Sequence, residues 1–191
     1  MDTATAIRAR RSIRRFLPKA VPAQYLRQLV ELARLYAPGG NVQPLRYAIV
    51  AEKENTDRLF AGLKWAMYLP DFQIADTQRP AAYIVLLRDD AVKKNCQFDL
   101  GAASTNIMLA AQSMGLASCC LASFSREAVT EILGQEQTLV PELVIALGYA
   151  DQESRAVAHT GDHRYFETED GVLNVPKLSV EQVLVFADVQ D

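Results

Sequence analysis

The sequence is short of the residues on which many catalytic centres are built, with two histidines, three cysteines and one tryptophan in 191 residues. Cys96, Cys119 and Cys120 form no CxxC pair, so the ligand spacing of a structural zinc site is missing and no metal is expected. An odd number of thiols reads as reduced, mostly buried cysteine rather than a disulfide framework. His159 and His163 both fall in a polar stretch, which favours surface or hydrogen-bonding roles, and no Ser-His-Asp set stands out. A GxGxxG fingerprint is also absent. No apolar run approaches the ~20 residues of a membrane span, and MDTATAIRARRSIRRF has no apolar core of the kind a signal peptide uses. A soluble, cytoplasmic protein without a membrane partner is therefore expected. Lys and Arg total 20 against 23 Asp and Glu, a formal charge of -3, so nucleic acid is not an expected partner and any basic site is local. Neither a repeat nor a dividing linker appears, which leaves a single domain over 1–191.

Half of the residues are apolar, enough for a substantial core. Helical and extended patterns alternate. A short helix is expected over 2–9 and a stronger one from Pro22 to about Ala37, with Leu26, Leu29, Val30 and Ala33 on one face. Tyr47 to Ala51 reads as a strand, followed by a helix capped by Asn55, in which Leu59, Phe60, Leu63 and Met67 share a face. Ala81 to Leu87, Ala117 to Leu121 and Leu143 to Leu147 complete four core strands. Between the second and third lies the longest apolar helix, Phe98 to Met114, and Ser125 caps a further helix through Leu133. From Tyr149 to Val175 the chain is polar and irregular, and Ser179-Val180-Glu181-Gln182 then opens a last amphipathic helix. A terminal helix at the end of a long arm needs a surface to dock on, and a second subunit is the simplest host.

Three segments carry chemistry. Arg8, Arg10, Arg11, Arg14 and Arg15 crowd five guanidinium groups into eight residues around Ser12. Arginine offers a rigid fork of donors matched to phosphate oxygens, and a bound phosphate would offset the mutual repulsion; the bland alternatives are a solvated basic face or a weak nucleic-acid patch. Pro38-Gly39-Gly40-Asn41-Val42-Gln43-Pro44 has glycines that let backbone approach a ligand and amides that can pair with the edge of a planar heterocycle, although such a turn is common in any protein. The third segment is the helix from Asp99 to Gly115 with its strand Ala117 to Phe124. Its small residues suit close helix packing and would let a flat ring lie on backbone, or simply build a core.

Taken in order, RRSIRRF, PGGNVQP, DLGAASTNIMLAAQSMGLASCCLASF and ELVIALGYAD resemble the FMN-dependent nitroreductase family over residues 6 to 151. The resemblance implies an α+β sandwich with a central mixed sheet flanked by helices. It also implies an intertwined homodimer with FMN at each of two subunit interfaces and exchanged C-terminal arms, here 149–191. It makes Arg10, Arg11, Ser12 and Arg14 ligands of the FMN phosphate and the adjoining polar edge. Asn41 falls near the flavin pyrimidine, Pro38, Gly39 and Gly40 in the loop reaching the other subunit's flavin, and Cys120, Ala122 and Ser123 along the strand that ends beside flavin N5. Pro44-Leu45 departs from the family's usual Pro-Trp, Ala122 stands where an acidic residue is common, and Lys177 is the basic residue on hand for the phosphate near the last apolar stretch. The activity implied is electron transfer from NAD(P)H to a nitroaromatic, quinone or similar conjugated acceptor by a ping-pong mechanism. The cofactor carries the chemistry, so no catalytic side chain is expected. Ring oxidation, reductive dehalogenation and flavin binding without turnover are the alternatives. Trp65, Tyr68 and Phe72 recur beside Pro70 as candidate walls of the substrate pocket, or as ordinary core.

Overall fold

Alternate residues of one strand explain why the sheet is covered on both sides. A computed structural model describes residues 1–134 and 138–189. In β3 (Ala82–Asp89), Ala82, Ile84 and Leu86 join a core with the helices α2 (Ala23–Ala33) and α4 (Gln97–Ser113), whereas Tyr83, Val85 and Leu87 join a second core with α3 (Lys53–Ala61) and α5 (Arg126–Leu133). Side chains on a strand point to opposite faces, so a strand buried on both must read as a continuous apolar run, as YIVLL does. The same division holds in β5 (Leu139–Ala150), where Ile145 and Leu147 face one core and Val144 and Ala146 the other. The result is a helix-sheet-helix sandwich.

The five-stranded sheet runs β1-β5-β3-β2, with β1 at Phe16–Leu17 and β2 at Leu45–Val50, while β4 (Ala117–Leu121) also pairs with β5. Pairings between these strands are antiparallel, and the parallel component expected of a mixed sheet is confined to an isolated bridge between Ser12 and Ser118. β5 extends well beyond Leu143–Leu147 because a register shift at Leu86/Leu87 places Pro141 opposite Leu87, and such a bulge accommodates a residue that cannot donate to the ladder.

At the far end of β5 the N-terminal chain crosses over Gly148. A Cβ built there would lie 2.8 Å from Cδ1 of the fully buried Phe16. Gly148→Ala is accordingly expected to lower stability by ~1–3 kcal/mol through overpacking. A urea midpoint equal to that of the native chain would show that Phe16 can move aside.

Several expected boundaries shift. The helix from Ala23 stops at Ala33 rather than Ala37, and the Arg34–Glu31 ion pair lies across its end. α3 begins at Lys53, with Glu52 rather than Asn55 at its cap, and Lys53 pairs with Asp57 one turn on. It ends at Ala61 because Lys64 N–H donates to Ser123 O at 3.0 Å and Ser125 N–H to Gly62 O at 2.9 Å. These bonds pull the chain out of the helix toward the loop after β4, so Met67 ends exposed instead of sharing a face with Leu59. Ser125 caps α5 as expected, accepting from Ala128 N–H at 3.1 Å.

The polar stretch is not irregular. Tyr149 and Ala150 finish β5, and β6 (Ser154–Ala158), β7 (Phe166–Glu167) and β8 (Leu173–Lys177) form a small second sheet. Beyond it the helix α6 lasts one turn, Val180–Val183, and Val183, Leu184, Val185 and Phe186 all lie exposed. No helix among the described residues is long and apolar enough to cross a membrane.

Candidate functional site

Helix α1 (Thr3–Ala9) is capped by Asp2, which accepts from Thr5 N–H at 3.0 Å, and it delivers the arginine segment to the edge of β4. There Ile13 N–H donates to Ser118 O at 3.0 Å, which fixes the register of Arg10, Arg11, Ser12 and Arg14 along the strand. Ile13 and Phe16 are buried in the core, so the flanking arginines are held half-buried. Burial is what gives such a cluster its chemistry, because a guanidinium without bulk water needs a partner.

The electrostatics show which arginines meet β4. Burial pushes the Cys119 thiol up, and the charges of Arg14 and Arg10 oppose that rise. Cys120 is pushed up to about 11, mainly by burial and then by Cys119, with Arg10 again opposing. Arg10 thus acts on both cysteines and Arg14 on Cys119. The acidity of Arg11 is increased by burial first and by the like charge of Arg10 second. Nε of both Arg11 and Arg14 is buried without a hydrogen-bond partner. Each guanidinium also donates through Nη1 to backbone, Arg11 to Arg10 O and Arg14 to Ser12 O at 3.5 Å, so the two Nε donors beside a third cation are what an anion would meet.

Arg15 is different. It pairs with Glu167 at 2.5 Å, lies 4.4 Å from the Phe72 ring centroid and donates through Nε to Gln73 O at 3.3 Å. Its charge is consumed by structure. Arg8 is exposed.

The small sheet folds back onto the same segment. Gln152 Oε1 accepts from Arg14 N–H at 3.0 Å, and the Arg14 guanidinium lies over the Tyr165 ring, 4.7 Å from its centroid. Gln152 and Tyr165 were not legible as site residues, since nothing local to either signals a contact 138 residues away in one case.

Ala122 and Ser123, at the end of β4, are exposed, and Ser123 O holds Lys64 N–H. That bond leads the chain from the end of β4 toward Arg14. Trp65 packs beside the second core and lies 5.8 Å from Phe60. Tyr68 meets Tyr165 edge-on at 5.1 Å, and its N–H donates to the Tyr165 hydroxyl at 3.4 Å. Phe72 is covered by Arg15. Of the three aromatic residues, Tyr68 lines an open cleft.

Pro38, Gly39, Gly40 and Asn41 form a turn between α2 and β2, with Gly39, Gly40 and Asn41 exposed. Gly40 at φ +61 and Asn41 at φ +54 occupy the left-handed region, which glycine and asparagine tolerate best. Among the described residues, no hydrogen bond or ion pair joins this turn to the arginine segment. The same holds for Lys177, whose exposed side chain ends β8 and whose backbone O accepts from His159 N–H at 3.0 Å.

Comparison with known proteins matches this arrangement of elements. A protein of Archaeoglobus fulgidus named "Putative NADH dehydrogenase/NAD(P)H nitroreductase" is 28% identical over 155 residues, covering 77% of this chain and 84% of its own. A crystal structure of a protein of the same name from Bacteroides thetaiotaomicron superposes with TM-score 0.69 at 26% identity, covering 84% of this chain and 92% of that one. A nitroreductase family protein from Clostridium difficile superposes with TM-score 0.65 at 22% identity over 80% and 86% of the two chains, a likeness of fold. The model of the nitroreductase family matches residues 7–149, from the arginine segment to the end of β5, and the chain belongs to that family.

Proposed function

We propose that the protein is an FMN-dependent oxidoreductase that passes electrons from NAD(P)H to a conjugated acceptor such as a quinone or nitroaromatic. The observation that carries this reading is the pair of buried Nε donors of Arg11 and Arg14, both without a hydrogen-bond partner, beside Arg10. A phosphate monoester carries the charge and the oxygens to satisfy both. FMN, when bound, supplies two-electron chemistry that no side chain of this chain offers. Arg10, Arg11, Ser12 and Arg14 would hold the phosphate end, and Cys120, Ala122 and Ser123 would provide a surface low enough for a ring to lie on. Ala122, just past the end of β4, contributes only a methyl group, so its backbone N–H is the polar group available there. NAD(P)H-linked names among the relatives support the choice of donor.

The reading includes a homodimer. Among the described residues no hydrogen bond or ion pair joins the turn at Pro38 to Asn41 or Lys177 to the arginine segment, so in this reading a second copy supplies them to a flavin. Exposed apolar surface favours the same conclusion. Phe98 on α4 is 95% exposed, and in the tail Val183, Leu184, Val185 and Phe186 are four consecutive apolar residues all more than half exposed, the kind of surface that marks an interface.

Donor and acceptor are expected to use one face of the cofactor in turn. Anaerobic addition of NADH or NADPH should bleach the flavin without any acceptor present, and double-reciprocal plots with a quinone should run parallel. A flavin that neither nucleotide reduces would remove the oxidoreductase reading and leave a flavin-binding protein.

A further inference from the structure

Just past the end of β5, residues 152–154 border a cavity of about 300 Å³ together with the C-terminal end of α4 and the arginine segment. That volume is at the small end of the range for ligand pockets. Successive side chains of an extended segment point to opposite sides, and Arg11 and Ile13 line this cavity whereas Arg10, Ser12 and Arg14 do not. The cavity thus lies on the other side of the segment from Arg10 and Arg14.

Two buried polar groups at its border have no hydrogen-bond partner among the described residues, Gln152 Nε2 and Ser154 Oγ. The orientation of Gln152 is set by its Oε1, which accepts from Arg14 N–H at 3.0 Å and leaves the amide nitrogen as the free donor. Arg11 adds a half-buried positive charge. Of its five N–H donors one is spent on Arg10 O, so the guanidinium can meet a flavin phosphate along one edge and this cavity along another. A buried donor left unpaired is costly, and an amide N–H, a hydroxyl and a guanidinium around one small space are the complement of a carboxylate.

The rest of the border has the opposite character. Gln112 and Gly115 stand at the C-terminal end of α4, where helix carbonyl groups carry partial negative charge. Glu153 lines the cavity with an exposed carboxylate that has neither an ion pair nor a hydrogen bond among the described residues. These groups disfavour a phosphate or a dicarboxylate and attract an ammonium. Ile13 and Leu116, both buried, add apolar wall for a short side chain.

We infer that this cavity binds a small α-amino acid as its zwitterion, with the carboxylate on Arg11, Gln152 and Ser154 and the ammonium on Glu153 and the carbonyl end of α4. The site is separate from the one proposed for flavin, and its occupancy does not depend on electron transfer.

Acetate, methylammonium and L-alanine each carry one methyl group, so saturation-transfer NMR reads all three through the same reporter on the purified full chain. L-Alanine should bind more tightly than either probe of single charge. Ser154→Ala should weaken L-alanine and acetate about three- to tenfold, as for loss of one hydrogen bond, with FMN affinity unchanged. Gln152→Glu keeps the acceptor for Arg14 N–H and sets a carboxylate against that of the ligand, so it should weaken both probes more than Ser154→Ala does. Glu153→Gln should weaken L-alanine about two- to fivefold, the range of an exposed ion pair, without weakening acetate. FMN at saturation should not displace L-alanine. Absence of saturation transfer to L-alanine at millimolar concentration would overturn the site. Acetate bound as tightly as L-alanine, or L-alanine affinity indifferent to Glu153→Gln, would overturn the ammonium pole and with it the amino acid. Displacement of L-alanine by FMN, or loss of FMN in Ser154→Ala, would overturn the separate site and give the cavity to the flavin phosphate. L-Alanine binding in a chain that takes up no FMN would support the cavity and count against the flavin reading alone.

Discussion

Arg14→Ala is expected to weaken FMN binding by roughly tenfold or more, and Arg8→Ala to leave it unchanged. Arg14 is half-buried, its Nε has no partner, and its guanidinium is held against Tyr165 at 4.7 Å while its backbone N–H is anchored by Gln152. A preorganised cation of this kind gives up little conformational freedom on binding a phosphate, so a charge-assisted bond worth ~1.5–3 kcal/mol should be lost with it. Converted to affinity, that is about one to two powers of ten. Arg10→Ala should behave similarly, because the charge of Arg10 reaches Cys119 and Cys120 on the same strand. Arg8 is exposed on the last turn of α1, where water already solvates it. Titration of the apoprotein by flavin fluorescence separates the cases. Equal affinities for all three variants would mean that the cluster is a solvated basic face.

Deleting residues 178–191 should convert a stable dimer into a monomer that no longer retains flavin. Val180, Val183, Leu184, Val185, Phe186 and Val189 are all more than half exposed, which is a costly arrangement in water unless another surface covers them. Obligate interfaces commonly bury ~2,000 Å² or more, and a tail of this kind adds to the exposed face of α4 in reaching such an area. Light scattering at micromolar concentration reads the outcome. A truncated chain that stays dimeric with its flavin would assign the interface to the helices alone. A truncated monomer that keeps its flavin would contradict the two-subunit site.

The parts of the fold that could be read from sequence are those where local pattern and tertiary burial agree. YIVLL and the run from Leu143 to Leu147 are buried on both faces, so composition alone marked them as inner strands. Ser125 and Ala117–Leu121 were legible because a cap and a short apolar run leave few alternatives. The boundary of α3 was not, since its last turn is given up to bonds with Ser123 and Ser125, more than fifty residues later in the chain. The small sheet escaped for a similar reason. β6 and β8 are short, each mixes polar with apolar residues, and each pairs with a strand well along the chain, Ser154 opposite Leu173.

The arginine segment announced itself by crowding in a chain of net charge -3. Its internal division of labour did not. Arg15 is neutralised by Glu167, and Arg14 is held by Gln152 and Tyr165, all from the stretch that looked like a loose arm. The pairing of Tyr68 with His163 was hidden in the same way, because 95 residues separate them.

The most direct test of the account is the chromophore itself. Purified protein should be yellow, and denaturing it should release about one non-covalent FMN per chain, identified by chromatography against FMN and FAD standards. A colourless protein that takes up no added FMN, or one that releases FAD instead, would contradict the assignment of Arg10, Arg11, Ser12 and Arg14 to the phosphate of FMN.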